Sequence, residues 1–281
     1  MEGLSLDLPD GGVPAVDGIR VGIGGWTFAP WRDNFYPKGL VQRRELEYAS
    51  RQLSAIEING TYYGAQKPAT YAKWRDETPP GFVFTAKAPK RITQSRALER
   101  TGAQVEDFVG DIAELGDRLA ALVWQFDAGT RIDRDAFTRF LDLLPREAGG
   151  RPLRHVLDVR DRGFVDADYI ALARRHGMAT VYTDSDEHPS FADVTADFVY
   201  ARLMRSRADV ATGYPLPKLR EWAGRARTWA DGGAPDDLPA LTEADRGGRR
   251  REVFVFFISA AKERNPAAAM ELLRLLGARS A

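Results

Sequence analysis

The chain has 281 residues, 40 Lys and Arg against 40 Asp and Glu, three histidines and no cysteine. This balance leaves no global field to draw the protein onto nucleic acid or an anionic membrane, and the missing thiols exclude disulfides, thiolate nucleophiles and Cys-ligated metal centres. No apolar run approaches the roughly 20 residues of a membrane span, and the acidic opening stretch lacks the basic-then-apolar order of a signal peptide, so a cytoplasmic location is expected.

Residues 1–18 read as a flexible tail and 19–281 as one domain. Short apolar runs, several ending in a charged or amide residue, then alternate with amphipathic stretches, the signature of a parallel sheet. Strands are expected at Ile19–Gly24, Ser54–Asn59, Phe82–Lys87, Ala121–Gln125, His155–Arg160, Thr180–Asp184, Asp197–Leu203 and Glu252–Ile258. Helices are expected at Gln42–Leu53, Pro68–Glu77, Val105–Leu119, Asp135–Leu144, Asp168–His176, Pro217–Ala230 and Pro266–Leu276. Eight strands suggest an α/β fold closed as a TIM-type (β/α)8 barrel, which typically needs about 250 residues. Ser185 to Ala196 leaves little room for a helix, so the crossover between the sixth and seventh strands is expected to be degenerate. An open doubly wound sheet is the alternative, but Gly22-Ile23-Gly24-Gly25 has the wrong spacing for its phosphate loop. Asp231 to Arg251 reads as a long polar loop.

Side chains two apart on a strand share a face, and in a barrel one face is the interior. Keeping Ile56, Ile58, Phe84, Trp124, Leu157 and Val159 in the helix layer sends Glu57, Asn59, Lys87, Gln125, Asp158 and Arg160 inward. The same rule is expected to turn Tyr182, Asp184, Tyr200 and Arg202 inward. These groups would converge at the C-terminal strand ends, where barrel enzymes carry their chemistry. Trp26, Trp31 and Tyr36 from the first loop, with Tyr63, are expected to offer stacking surfaces beside them. An internal ion network with no ligand is the competing account, since buried charges must be paired in any case.

At these residues the sequence resembles the YecE-like family, known as domain of unknown function 72. The resemblance lies in Gly25-Trp26, Trp31, Phe35-Tyr36-Pro37, Ile56–Asn59, Tyr62-Tyr63, Trp74, Thr78-Pro79, Phe82 to Pro89, Ile92-Thr93, Gln125, Asp158-Val159-Arg160 and Tyr200–Leu203. It implies a TIM-type barrel and carries over no catalytic residue. Asp158 stands where glutamate is usual, Gln94 and Met204 where histidines are common, and Ile258-Ser259 where asparagines often end the last strand. A histidine-dependent proton transfer is therefore not expected.

The charge set suggests an enzyme working by acid/base chemistry on a small polar anionic substrate, such as a sugar phosphate or sugar acid. Arg160 and Arg202 would fork onto the anion, Lys87 would add a point charge, and Glu57 or Asp158 would move the proton. Lys87 as a Schiff-base amine is a variant. Alternatives are a carboxylate-pair glycoside hydrolase using Glu57 and Asp158 with Trp26 and Trp31 as platform. Others are a Mg²⁺- or Mn²⁺-dependent hydrolase or isomerase on Glu57, Asp158 and Asp184, and a non-catalytic barrel binding a ligand or nucleic acid. The expected cofactor is none: His155, His176 and His188 are too scattered for a zinc site. Nucleic acid, through the aromatics and Arg91, Arg96 and Arg100, is a disfavoured partner, and no membrane partner is expected.

Overall fold

In the computed structural model, residues 12–14, 16–32, 34–130, 132–243 and 247–278 are described; most of the expected tail lies outside them. The Val-, Ile- and Phe-rich runs form strands β1 (Ile19–Gly24), β2 (Ala55–Ile58), β3 (Val83–Lys87) and β4 (Leu119–Phe126). After a two-residue-per-arm hairpin, β5 (Glu147–Ala148) and β6 (Arg151–Pro152), come β7 (His155–Val159), β8 (Ala179–Asp184), β9 (Phe198–Leu203) and β10 (Glu252–Phe257). Eight of these pair in parallel into a closed barrel, in the order β1-β10-β9-β8-β7-β4-β3-β2. All eight expected barrel strands are present, and the fold is an α/β TIM barrel.

Helices α1 (Glu45–Gln52), α2 (Pro68–Glu77), α3 (Lys90–Thr93), α4 (Gly102–Ile112), α5 (Arg134–Leu143), α6 (Ala167–His176), α7 (Leu216–Ala230) and α8 (Asn265–Leu275) surround the sheet. Asp133 and Asp166 cap α5 and α6 by accepting the N–H of Ala136 and Tyr169, each at 2.8 Å. Both are acceptors placed where a helix start leaves donors unpaired. Gly177, at φ 61°, ends α6 in the left-handed conformation that glycine adopts without strain. The crossover from β8 to β9 contains neither helix nor strand, as its length implied.

Two apolar layers follow from strand alternation. The outer one joins the helices; the inner one holds Ala55, Val83, Ala121, Val123, Val156, Ala179, Val181, Phe198, Tyr200, Phe254 and Phe256. Gly22 makes this interior possible: a Cβ there would lie 2.0 Å from the Ala55 carbonyl oxygen and 3.1 Å from the Phe256 ring. At the N-terminal end Arg154 lies over the Phe198 and Phe254 rings and donates to Glu252 at 2.7 Å, which closes the barrel floor. The described part of the 231–251 loop also belongs to that end, because it runs from α7 into the start of β10. Asp193 anchors it by accepting from Leu241 N at 2.8 Å and Thr242 N at 2.9 Å, so it does not cover the C-terminal rim.

Candidate functional site

The inward polar residues lie towards the C-terminal ends of their strands, where their side chains meet. Glu57 lies beside Thr85, Lys87 beside Val123, Gln125 beside Asp158, and Arg202 beside Phe256. Glu57 and Arg202 are completely or almost completely buried, at 0% and 1% exposure. Such burial of opposite charges is tolerated only with pairing and hydrogen bonds, and both are present. Arg202 donates to Glu57 Oε2 from Nε at 2.9 Å and Nη2 at 2.8 Å, and from Nη1 to Asp158 Oδ2. Tyr200 donates its hydroxyl to the same Glu57 oxygen at 2.5 Å and meets Thr85 Oγ1 at 2.8 Å. Glu57 Oε1, also buried, has no hydrogen-bond partner. One carboxylate oxygen is thus saturated and the other is buried without a partner.

A second set of contacts extends from Asp158 to the rim. Arg160 donates to Asp158 Oδ2 at 3.2 Å and to Gln125 Oε1 at 3.0 Å, and Gln125 Nε2 donates to Asp127 Oδ1 at 2.7 Å. Asp127 Oδ2 accepts from the Tyr62 hydroxyl and, at 3.0 Å, from Gln94 Nε2. Among the described residues the Lys87 ammonium makes no hydrogen bond or ion pair; it stands 5.7 Å from the Tyr62 ring centre.

Electrostatics follow from this arrangement. Burial pushes the Lys87 ammonium down to about 8, with Arg202 adding to the fall and Glu57 and Asp158 opposing it. For Asp158, burial acts upward, but Arg202, Arg160 and Lys87 outweigh it and hold the carboxyl below its ordinary range. Burial and then Glu57 push the Tyr200 hydroxyl up, so it stays a donor. Burial likewise disfavours the Arg202 charge, yet Glu57 and Asp158 overcome it and hold that guanidinium protonated. The site therefore contains a fixed counter-ion system and one cation that titrates near neutrality.

Several expectations need correction. Tyr182 and Asp184 point outward: β8 turns Val181 and Thr183 inward, in register with Tyr200 and Arg202, while Tyr182 packs on Trp222 and Trp229 and Asp184 pairs with Arg205 at 2.9 Å. The small residues go inside because Tyr200, Phe254 and Phe256 already fill the interior. Trp31 and Tyr36 are buried structural residues, at 0% and 2% exposure, packed with Phe28, Phe35 and Tyr48. Tyr36 donates its hydroxyl to the Trp26 carbonyl at 2.5 Å, shaping the first loop rather than stacking on a ligand. Tyr63 is 78% exposed, and its neighbour Tyr62 is the tyrosine that reaches the network.

Arg160 and Arg202 are occupied by carboxylate and amide groups instead of standing free for an anion. The same geometry counts against the metal alternative: Asp184 is elsewhere, Arg202 bridges Glu57 and Asp158, and no group of three His, Cys, Asp or Glu suited to a metal occurs among the described residues. It also counts against a glycoside-hydrolase pair, since the Arg202 guanidinium bonds both Glu57 and Asp158 where the glycosidic bond would have to lie, and Trp31 is buried.

Alternation turns Thr85 inward with Lys87, as found, but sequence reasoning gave Tyr62, Gln94 and Asp127 no place in the site. Asp127 was within reach, because it follows Gln125 by two residues and so continues the inward face. Trp26 and Asn59 line a separate cleft of about 330 Å³ beside the network, with Gly24, Gln66, Trp74 and Lys262. A larger cavity, about 600 Å³, opens at the opposite end of the barrel between Arg174, Asp197 and Arg249–Arg251. No helix among the described residues is long and apolar enough to cross a membrane.

The family model described as "Protein of unknown function DUF72" matches residues 20–281. The UPF0759 protein YecE of Escherichia coli K12 is 30% identical over 140 residues, covering 49% of this chain and 48% of that protein. The alignment thus spans about half the length of the curated relative. A DUF72 family protein from Enterococcus faecalis V583 superposes with a TM-score of 0.70 at 14% identity, over 94% of this chain and 97% of its own. One from Thermotoga maritima MSB8 gives 0.66 at 19% identity, over 92% and 97%. At these identities the two structures speak for the fold alone.

Proposed function

The chain belongs to the DUF72 family, and from that premise we propose that this member is an enzyme using acid/base chemistry on a small polar anionic substrate of the sugar-phosphate or sugar-acid kind. The observation that carries this reading is the half-paired Glu57 carboxylate beside Lys87: Oε2 accepts three hydrogen bonds while buried Oε1 accepts none. A base needs an oxygen that donors have not already saturated, and Oε1 is the unpaired one. Asp158 serves as the permanent counter-ion that keeps Arg202 in place. Lys87, at about 8, supplies a proton donor or a cation to an oxyanion forming next to Glu57.

The test is proton exchange rather than product detection. Sugar phosphates and sugar acids are incubated with the protein in D₂O, and loss of carbon-bound proton signals is followed by NMR. Exchange with the wild type that disappears in Glu57→Gln supports the reading. Exchange that persists in Glu57→Gln removes Glu57 from the base role. A second reading, a binding barrel without turnover, is favoured by the mutual neutralisation of Arg202 with Glu57 and Asp158. It is the outcome if ligands bind the wild type and no exchange occurs.

A further inference from the structure

The two guanidinium groups expected to fork onto an anion are already taken. Arg202 has Glu57 and Asp158, and Arg160 has Asp158 and Gln125. Another cation stands on the same rim. Lys262, in the loop after β10, makes no side-chain hydrogen bond or ion pair among the described residues; its ammonium lies 4.5 Å from the Phe28 ring centre and 5.4 Å from that of Trp31. The backbone delivering it is unusual. Ser259 and Ala260 both have positive φ, 60° and 48°, a conformation that side chains disfavour. This loop is nonetheless pinned: Asn265 Nδ2 donates to Ser259 O at 3.2 Å, Ala261 N to Ser206 O at 3.3 Å, and Ser206 Oγ to Asn265 Oδ1 at 2.8 Å. The Trp31 indole N–H donates to the Lys262 carbonyl at 2.9 Å, which locks the loop to the buried aromatic cluster.

The Lys262 side chain lines the 330 Å³ cleft with Trp26, Asn59, Gln66 and Trp74, a volume within the range of small-molecule pockets. Trp26 stands edge-on to Trp74 at 4.9 Å between ring centres and stays half-buried at the cleft wall. Asn59 leaves its buried Oδ1 without a partner, and its Nδ2 has only a long 3.5 Å contact with the Glu57 carbonyl. Gly24 keeps this amide in place, because a Cβ there would come 2.6 Å from Nδ2.

We propose that this cleft between β1, β2 and the β10–α8 loop is the subsite for the charged end of a hydroxylated ring ligand. Lys262 takes the anionic group, Trp26 packs on the ring face, and Asn59 Oδ1 accepts a ring hydroxyl. The assignment rests on the reading that the rim takes a small anionic substrate, and it puts that substrate at the end of β2: Asn59 directly follows the strand, and Gly24, which lines the cleft, is the register partner of Glu57. Partial burial also lowers the Lys262 ammonium from its ordinary value, a cost that an anionic ligand would relieve.

The experiment is calorimetric titration of the full chain with glucose 6-phosphate, glucuronate, inorganic phosphate and neutral glucose, using wild type, Lys262→Met and Lys262→Gln. The Trp31 bond goes to the Lys262 backbone, so the substitutions leave it intact, and thermal melts check that both variants fold. Glucose 6-phosphate or glucuronate is expected to bind the wild type with glucose markedly weaker. Affinity should fall at least roughly tenfold in both Lys262 variants, as for the loss of a charge-assisted contact, and should weaken with added salt. Preference among the phosphate and carboxylate ligands identifies the anion. Unchanged affinity in a folded Lys262 variant overturns the subsite. So does failure of both anionic sugars to bind the wild type. Binding that is lost in the Lys262 variants while no probe undergoes proton exchange keeps the subsite and removes the catalytic reading.

Discussion

Arg202 holds Glu57 by one oxygen only: Nε and Nη2 both donate to Oε2, and Oε1 is left bare inside the barrel. A symmetric fork would have occupied both oxygens and made a closed salt bridge. The lopsided one is possible because Nη1 turns away to Asp158 and Tyr200 joins Arg202 on the same Glu57 oxygen.

That relationship predicts a large stability loss on breaking the pair. Arg202→Met leaves Glu57 and Asp158 buried without their cation and is expected to cost about 3–5 kcal/mol. Adding Glu57→Met should cost less than the sum of the two single changes, since it removes one of the stranded charges. Urea unfolding of the two single variants and the double variant measures this. A strictly additive double variant would show that Glu57 and Arg202 are not coupled.

How much of this could be read from the amino-acid order depends on which physical rule governed each residue. Alternation alone placed Glu57, Lys87, Gln125, Asp158, Tyr200 and Arg202 inside, because strands with one clearly apolar face leave no choice of register. It failed at β8, where Ala179-Thr180-Val181-Tyr182-Thr183-Asp184 offers no such face and the size of the neighbouring Phe254 and Phe256 decides. Tyr62 and Tyr63 are indistinguishable by composition; only the 3-10 turn at Gly60–Tyr62 settles which ring turns inward. Trp31 and Tyr36 looked like a platform, yet irregular loops need their own core, and these two supply it. Lys262 had no signal at all, since its position depends on strained backbone that no local pattern announces.

Gly22 is expected to be intolerant of any side chain. A Cβ at that position meets the Ala55 carbonyl at 2.0 Å, and main chain cannot yield as a flexible side chain can. Gly22→Ala should therefore cost about 3 kcal/mol, the upper end of the usual overpacking range, because the β1–β2 ladder is disturbed as well. Gly60→Ala, with nothing within 4 Å, serves as the control and should change stability little. Comparable melting temperatures for the two variants would contradict the close approach.

His155 predicts an acid-sensitive barrel wall. Trp124 Nε1 donates to its Nδ1 at 3.0 Å, and its Nε2 lies 2.8 Å from the Pro145 carbonyl, so the ring is neutral with the proton on Nε2. Burial pushes this imidazole from 6.5 down to about 4. The unfolded chain then binds more protons between about 4 and 6.5, so stability rises with pH through that window and falls on acidification. The loss by pH 4 should be on the order of 3 kcal/mol. Chemical denaturation across this range should show the slope, and His155→Gln should remove it. Nitrogen NMR reporting a proton on Nδ1 at pH 7 would rule out the arrangement.

Lys87 predicts the opposite end of the pH scale. Its folded-state value, about 8, lies below the 10.5 of an exposed lysine, chiefly through burial. Between those values the unfolded chain again binds more protons, so stability should rise as pH climbs from 8 towards 10.5. Below 8 the buried ammonium destabilises the fold by an amount on the order of 3 kcal/mol, which the protein retains at neutral pH. Lys87→Met should therefore be more stable than the wild type at pH 7, and the two should converge above pH 10.5. Turnover, once a substrate is in hand, should change with an apparent value near 8 that vanishes in the same variant. A residue kept in a state that weakens the fold, yet removable with a gain in stability, is what a working amine at the rim requires. A Lys87→Met variant that is less stable than the wild type at pH 7 would instead make the ammonium part of the structural ion network.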